Sequence, residues 1–264
     1  MDFAKIFSQG SCSSSIFAKD VDNMMPFTEN STWNFAADDG VFKRTTHPII
    51  TGTSVLGLVF DEGVMICADT LGSFGSMARF LNCPRVLKVN DQIIIGAGGD
   101  FADFQYLSSV IEQQIINEEC LNDGFNLKPR SLHCWLTRTM YNRRTKLDPL
   151  WNVYVVGGIQ DGKPFLGLVD KIGTSFEAPS IATGYGSYLA QPLLRTRVES
   201  NPNISEHEAL DLMKHCLRIL YYRDGRSFPK FTVGIITKEG VRISDPVEID
   251  SDWSVARLVG AKCS

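Results

Sequence analysis

The order of strand-like and helix-like segments is the sequence feature that most constrains the fold of this chain. Short apolar runs joined by glycine-containing turns predict strands in hairpins, and apolar residues at helical spacing predict helices between them. The predicted strands lie at residues 53–60, 64–69, 85–89, 93–97, 151–157 and 164–169, with a shorter pair at 175–178 and 180–183 and a closing hairpin at 231–237 and 241–244. The predicted helices lie at about 107–120, from about 132 to before Pro149, at 187–199 and at 205–222.

Hairpin strands are antiparallel, and the apolar faces of such sheets need cover. Two sheets packed face to face, with a pair of helices outside each sheet, would bury all of these faces. The sequence therefore predicts an α+β fold, a four-layer α/β/β/α sandwich of two antiparallel sheets flanked by helix pairs. Two local features are also predicted: Ser205 and Glu208 form a capping box, and the glycines at 96, 98 and 99 end the fourth strand.

Composition indicates one globular domain and argues against several kinds of site. The 264 residues are 44% hydrophobic, and the net charge of −4 gives no reason to expect nucleic acid or an anionic membrane as a partner. No apolar run approaches the roughly 18 residues of a membrane span. The seven cysteines are odd in number and scattered, which is typical of reduced thiols in an intracellular protein. The four histidines lack ligand spacing, so we expect no metal and no cofactor.

The N-terminal segment before Thr46 differs from the rest of the chain. It contains a small polar run at 11–15 and acidic runs, and it lacks the apolar segment of a signal peptide. A disordered tail and a removable pro-segment both fit this composition, and the sequence Arg44-Thr45-Thr46-His47-Pro48 suits removal. We therefore expect a pro-segment at 1–45, a folded domain at 46–250 and a C-terminal tail at 251–264.

The Gly52-Thr53 dipeptide at the start of the first predicted strand has two interpretations. Most Gly-Thr pairs are ordinary strand starts. However, a threonine hydroxyl becomes a nucleophile when the α-amino group of the same residue takes its proton, and cutting the preceding peptide bond frees that amine. With a pKa near roughly 8, much of the amine can be neutral at physiological pH. The dipeptide alone does not decide between the two interpretations.

Four motifs in order along the chain resemble those of proteasome β-type subunits, which have the N-terminal-nucleophile hydrolase fold. The similarity extends from about residue 46 to 260. The motifs are Gly52-Thr53 at the processing junction, the G-x-x-x-x-A-D pattern from Gly63 to Asp69, Gly98-Gly99-Asp100 before the first helix, and Tyr222-Arg223-Asp224 with Ser227. Finer features are most similar to the non-catalytic seventh β class, among them Thr51-Gly52-Thr53-Ser54-Val55-Leu56-Gly57 and Leu220-Tyr221-Tyr222-Arg223-Asp224.

The resemblance implies a site whose chemistry is incomplete. In active members a lysine lowers the pKa of the threonine amine, because a nearby like charge disfavours the protonated form, and a glycine N–H receives the oxyanion. Arg85 stands at the lysine position, and a guanidinium cannot usefully exchange a proton at neutral pH. Tyr185 replaces an accessory serine, and its ring is expected to crowd the threonine. The vestigial positions are Thr53, Asp69, Arg85, Gly99, Tyr185, Asp224 and Ser227.

The retained residues also have purely structural interpretations. Asp69, which would anchor the lysine in an active member, can cap a turn or pair with Arg85, and we favour the pair. Asp224 and Ser227 can satisfy backbone groups at the end of a helix, while Gly99 can serve only to permit a positive φ.

The resemblance also implies trimming before Thr46 by a neighbouring active subunit. The nitrogen of Thr53 would then remain acylated and could not act as a base. The implied function is a non-catalytic structural component of the 20S proteasome core particle, in the pathway of ATP- and ubiquitin-dependent protein degradation. The alternatives are a catalytically active N-terminal threonine endopeptidase subunit and a stand-alone amidase of the same fold.

The same resemblance implies partners and a location. The partners are the other α- and β-type subunits of a 28-subunit, four-ring particle, and protein substrates are met only through active neighbours. The expected location is the cytoplasm and nucleus. A basic strip late in the second helix is either a solvated face or a contact between the two β rings, and the apolar C-terminal tail is expected to dock across that interface. The candidate interface residues are Arg138, Arg143, Arg144, Trp253 and Leu258.

Overall fold

The computed structural model describes residues 47–124 and 126–254. The strands are β1 Ile50–Gly52, β2 Val55–Phe60, β3 Gly63–Asp69, β4 Gly72–Phe74, β5 Met77–Phe80, β6 Val86–Asn90, β7 Ile93–Asp100, β8 Asn152–Gln160, β9 Lys163–Val169, β10 Ser175–Glu177, β11 Ser180–Ala182, β12 Lys230–Thr237, β13 Gly240–Ile243 and β14 Val247–Glu248. The helices are α1 Phe101–Leu121, α2 Pro129–Thr145, α3 Gly186–Leu189, α4 Gln191–Ser200 and α5 Glu206–Arg223.

These elements form two antiparallel sheets with helices outside each, which confirms the predicted four-layer sandwich. The first sheet has eight strands in the order β10-β9-β8-β7-β1-β4-β5, with β6 also paired to β7. The second has six strands in the order β11-β2-β3-β12-β13, with β14 also paired to β12. Helices α1 and α2 pack on the first sheet, and helices α3 to α5 pack on the second.

Strand β3 shows how one sequence supplies two cores. All seven of its residues are buried, and successive side chains point to opposite faces. Val64 and Ile66 lie in the core between the sheets, whereas Met65 and Cys67 lie in the core beneath α5. A strand buried on both faces therefore reads as a continuous apolar run.

Side-chain caps begin two of the helices. Asp100 accepts hydrogen bonds from the N–H groups of Ala102 and Asp103, so the last residue of β7 also starts α1. Ser205 accepts from the Glu208 N–H at 3.4 Å, in agreement with the predicted start of α5. A strand and a helix therefore meet without a loop at the motif that contains Gly99.

The structure corrects two predictions about strands. The strand predicted at 53–60 begins only at Val55, because the chain crosses from the first sheet to the second through Thr53 and Ser54. The glycine cluster does not end β7: Gly98 and Gly99 continue the strand to Asp100, since both pair with β8.

Two further predictions were wrong, one about the pairing of two short strands and one about the continuity of a helix. The short strands near 175–178 and 180–183 do not pair with each other, because β10 joins β9 in one sheet and β11 joins β2 in the other. The helix predicted at 187–199 is broken into α3 and α4 at Ala190. Pro192 explains the break, since it has no N–H to donate and its ring clashes with a carbonyl one turn earlier. Strands β1, β4, β5 and β14 were not predicted.

Candidate functional site

Thr53 follows directly after an inner strand of the first sheet. Strand β1 pairs with β7 on one side, with Gly52 opposite Gly99, and with β4 on the other, with Ile50 opposite Phe74. In the strand order β7-β1-β4, the three residues of β1 are what connects β7 to the β4–β5 hairpin. Loss of the segment before Thr53 would therefore open the sheet.

Arg85 holds the turn that contains Thr53. Its side chain is 2% exposed, and Nη1 donates to the Thr53 carbonyl at 2.8 Å and to the Ala97 carbonyl at 3.2 Å. Nη2 donates to the Ser54 carbonyl at 3.3 Å and to the Asp69 carboxylate, while Nε donates to the Asp69 carbonyl at 3.0 Å. All three guanidinium nitrogens are thus engaged with backbone or carboxylate oxygens.

Gly52 provides the space for this arginine. A Cβ added at Gly52 would lie 2.4 Å from Arg85 Cδ and 3.0 Å from Nε. The arginine cannot withdraw easily, because its hydrogen bonds hold it in place. The glycine of the Gly-Thr dipeptide is therefore required here by side-chain packing, whether or not the bond is ever cut.

Asp69 and Arg85 form a buried ion pair, the interpretation that the sequence favoured. The second carboxylate oxygen of Asp69 accepts from the Phe228 N–H at 3.2 Å. Burial raises the pKa of the Asp69 carboxyl, and the Arg85 charge and these hydrogen bonds oppose that rise. The pair joins the end of β3 to the start of β6 and to the segment before β12.

The Thr53 hydroxyl donates to Asp224 Oδ2 at 2.5 Å. Asp224 lies just after α5 and is 5% exposed, and its Oδ1 accepts from the Arg226 N–H at 3.0 Å. The Ser227 N–H donates to the Asp224 carbonyl at 3.1 Å, so this serine closes the turn after the helix. Asp224 and Ser227 therefore satisfy backbone groups, and Asp224 also holds the threonine.

Gly99 has a positive φ of 96°, and a Cβ there would lie 1.9 Å from the Trp151 carbonyl oxygen. This glycine is required for conformation and for close approach of the backbone. It pairs with Asn152 on one side and with Gly52 on the other. Strand β1 therefore occupies the side of Gly99 that faces Thr53.

Tyr185 is 61% exposed in the loop between Gly184 and Gly186. The expectation that its ring crowds Thr53 stays a prediction. The backbone of this loop is fixed to the turn at Thr53, because Ser54 Oγ accepts from the Gly186 N–H at 2.9 Å. Thr183 Oγ1 accepts from the Val55 N–H at 2.8 Å and anchors the other end of the turn.

Sequence reasoning missed the roles of Ser54 and Thr183. Both are buried polar residues whose partners lie more than a hundred positions away, so no local pattern reports them. Their burial beside the glycine-rich loop is the signal that identifies them. They position the backbone on either side of Thr53 and touch no reacting atom.

The predicted interface residues differ in their surroundings. Arg143 is partly buried and pairs with Asp148 at 3.0 Å, whereas Arg138 and Arg144 are exposed. The Arg144 guanidinium also lies over the Tyr141 ring, at 5.8 Å. Arg143 thus has a structural role that fixes the end of α2.

The tail residue Trp253 is half exposed and packs edge-on against α5. Its ring lies 5.0 Å from that of Tyr222 and 5.7 Å from that of Tyr221. The Asp252 N–H donates to the Tyr222 hydroxyl at 2.7 Å. Two other predicted positions, Thr46 and Leu258, lie outside the described residues.

No group of metal-ligating side chains occurs within residues 47–124 and 126–254. In the same ranges, no helix is both long and apolar enough to cross a bilayer. The arrangement at Thr53 contains a hydroxyl, a carboxylate and a fully engaged guanidinium. It can hold a turn in place, and it lacks the neutral amine that would activate the hydroxyl.

Comparisons with known proteins agree with the resemblance. The family model for proteasome subunits matches residues 49–236. A Xenopus laevis protein named proteasome subunit beta type-4 is 51% identical over 220 residues, which cover 83% of this chain and 91% of that protein. The Drosophila melanogaster protein of the same name is 42% identical over 218 residues, with 82% and 81% covered. A Schizosaccharomyces pombe protein named probable proteasome subunit beta type-7 is 41% identical over 222 residues, with 83% and 85% covered.

Proposed function

This chain belongs to the proteasome subunit family, and on that premise we propose that it is a non-catalytic structural subunit of the β ring of the 20S core particle. The main support for an inactive site is the presence and the contacts of Arg85. A guanidinium stands where an active site needs a lysine, and its hydrogen bonds to four backbone carbonyls and one carboxylate hold it in one fixed position. A guanidinium, unlike the amine of a lysine, does not usefully exchange a proton at neutral pH.

The backbone before Thr53 supports the same proposal. A free Thr53 amine requires a cut after Gly52, and strand β1 could then leave the sheet. The ladders from β1 to β7 and β4 would be lost together. We propose that the cut is made before Thr46 instead, which keeps β1 in place and leaves the Thr53 nitrogen as an amide.

The proposal extends to assembly. The subunit is proposed to join other α- and β-type subunits in a 28-subunit, four-ring particle and to meet protein substrates only through active neighbours. It would act in ATP- and ubiquitin-dependent degradation in the cytoplasm and nucleus. Exposed Arg138 and Arg144, Trp253, and the tail that includes Leu258 are its proposed contacts with neighbouring subunits.

The competing function is an active threonine endopeptidase subunit. The contact between Thr53 Oγ1 and Asp224 is compatible with it, but a hydroxyl–carboxylate contact alone does not supply the amine base. The two functions differ in the mature N-terminus and in reactivity toward a probe that attacks an N-terminal threonine.

The test uses intact core particles that contain the tagged full chain. N-terminal sequencing is expected to find Thr46 first, and a fluorescent epoxyketone is expected to label other β subunits of the same particle but not this one. Labelling of those subunits is the internal control. A mature chain that begins at Thr53 and carries the probe would refute the non-catalytic proposal.

Deletion of residues 253–264 tests the proposed tail contact separately. We expect impaired pairing of the rings, seen as half-sized particles on native gels. Unchanged assembly of complete particles would refute a role for the tail, without bearing on the chemistry at Thr53.

A further inference from the structure

The Asp100 side chain joins the start of α1 to the segment just before β1. Its Oδ2 accepts hydrogen bonds from the Ala102 and Asp103 N–H groups, each at 3.1 Å. Its Oδ1 accepts from the Ile49 N–H, also at 3.1 Å. The capping of α1 therefore accounts for only one of the two carboxylate oxygens, and the other oxygen holds a residue 51 positions earlier in the chain.

The backbone of Asp100 is itself fixed at the end of β7. Its N–H donates to the Trp151 carbonyl at 2.9 Å, and its carbonyl accepts from Asn152 Nδ2 at 2.7 Å. Asn152 is buried and also donates to the Gly98 carbonyl at 3.1 Å. The acceptor for Ile49 is therefore a fixed point, so a bond to it restrains the segment before β1.

Strand β1 depends on restraint at its ends because it is short. Its three residues form two residue pairs with β4 and two with β7. Short segments with few backbone bonds open locally at a low cost in free energy. At one end of β1, Arg85 donates to the Thr53 carbonyl, and at the other end Asp100 accepts from Ile49. A buried charged side chain therefore holds each end of the strand.

The segment ahead of Ile49 is more open. His47 is exposed, and Pro48 has no N–H to donate. The Ile49 side chain is 55% exposed, so packing adds little to its attachment. What holds this residue is therefore mainly its backbone N–H, and the partner of that N–H is Asp100.

We propose that Asp100 is the positioning residue that stops N-terminal trimming ahead of β1. The inference rests on the proposed function, in which a neighbouring active subunit removes the segment before Thr46. A protease cuts a segment in its transiently open state, where water adds across the peptide bond and frees a carboxylate and an amine. By holding Ile49, Asp100 keeps residues 49–52 out of that open state, so trimming leaves β1 intact.

Asp100→Asn separates the two roles of the side chain. Asparagine caps helices as well as aspartate does, through its one side-chain oxygen. Its amide nitrogen then takes the place of the oxygen that faces Ile49, and a donor cannot accept from an N–H. Asp100→Ser is a second variant of the same kind, because serine also caps helices and has a single oxygen. Asp103→Asn is the matched control, since its carboxylate lies in the first turn of α1 but accepts from the Trp151 N–H rather than from Ile49.

Limited digestion of the folded recombinant full chain measures the opening of β1. Thermolysin cuts before large aliphatic residues, so cleavage before Ile50 reports the opening and cleavage before Leu147, which is 81% exposed, is the internal reference. Under single-cut conditions, Asp100→Asn is expected to raise the ratio of the two rates roughly tenfold, the effect of losing one hydrogen bond to a charged group. Asp103→Asn should leave the ratio unchanged. An unchanged ratio for Asp100→Asn, or an equal rise in both variants, would overturn the inference.

Mass spectrometry of the processed chain, purified from cells through a C-terminal tag, tests the consequence for trimming. The unmodified chain is expected to have one N-terminus ahead of Ile49, and the Asp100→Asn chain a mixture that includes ends within residues 49–52. The same single N-terminus in both chains would refute a role of Asp100 in trimming. If the unmodified chain begins at Thr53, the proposed function itself fails. The thermolysin ratio does not depend on that N-terminus, so the two failures are distinguishable.

Discussion

Replacement of Arg85 by methionine tests whether this residue is the structural centre of the site. The substitution keeps an unbranched side chain of similar length and removes every donor. It leaves the Asp69 carboxylate, which is 4% exposed, without its ion pair, and it deprives the carbonyls of Thr53, Ser54 and Ala97 of a partner.

The size of the effect follows from the burial of the pair. Removing one partner of a buried ion pair costs about 3–5 kcal/mol, mostly because the other charge is left unpaired. The total free energy of unfolding of a domain is roughly 5–15 kcal/mol, so Arg85→Met should remove a large part of it. With a urea m-value near the upper end of about 1–3 kcal/mol/M, the unfolding midpoint should fall by about 1–2 M.

Urea unfolding of the recombinant full chain, followed by the fluorescence of tryptophans such as the buried Trp135, measures this change. Arg85→Lys retains the charge but offers fewer donors on a different geometry, so its expected loss is smaller, about 1–3 kcal/mol. The double variant Arg85→Met/Asp69→Asn should lose less than the sum of the two single variants, because neither buried charge is then unpaired. A loss below about 1 kcal/mol for Arg85→Met, or simple additivity, would refute the reasoning.

Three further predictions concern other parts of the molecule. Gly99→Ala should lower the free energy of unfolding by roughly 3 kcal/mol or more, because the new Cβ would meet the Trp151 carbonyl. Gly75 also has a positive φ but has no atom within 4 Å of an added Cβ, so Gly75→Ala should cost only about 1 kcal/mol. Similar losses for the two variants in urea unfolding would contradict this prediction. Burial raises the pKa of the Asp103 carboxyl, so the folded protein favours its protonated form. The stability that this group contributes is therefore lost as pH rises from about 3.9 through the folded pKa. The free energy of unfolding of Asp103→Asn, relative to that of the unmodified chain, should rise with pH over this range, and a difference that does not change with pH would contradict the prediction. Burial raises the pKa of the Cys216 thiol to about 12, so its reactive thiolate is scarce in the folded protein. Iodoacetamide should modify exposed Cys120 and leave Cys216 unmodified until urea is added, as measured by peptide mass mapping. Modification of Cys216 without urea would show that the core beneath α5 opens.

Most of the layer architecture could be predicted because it depends on short-range patterns. The continuous apolar run of β3, the hairpin turn before it and the serine cap of α5 each act within a few residues. The same local patterns failed at Thr53, where chemistry and periodicity suggested one strand from 53 to 60. The chain changes sheets there, and no local property of Thr53 or Ser54 requires the change.

The chemistry of the site divides in the same way. The sequence shows that Arg85 stands at the position of a lysine, and the chemistry of a guanidinium does not depend on the fold. The partners of Arg85 could not be predicted, because Thr53 follows β1, Ala97 lies within β7 and Asp69 ends β3. The Asp69–Arg85 pair remained one of two alternatives until the tertiary structure brought the two side chains together.

The sequence by itself determined the residue types available at each position: a threonine after a glycine, an arginine for a lysine, and the apolar periods that build four layers. Only the tertiary structure decided that β1 lies between β7 and β4, that Asp224 holds the hydroxyl of Thr53 across 171 positions, and that all four residues of β5 are exposed. The physical reason is the distance along the chain over which each kind of interaction acts. Propensity, capping and side-chain chemistry act between neighbours along the chain, whereas strand order and burial depend on how all the layers pack at once.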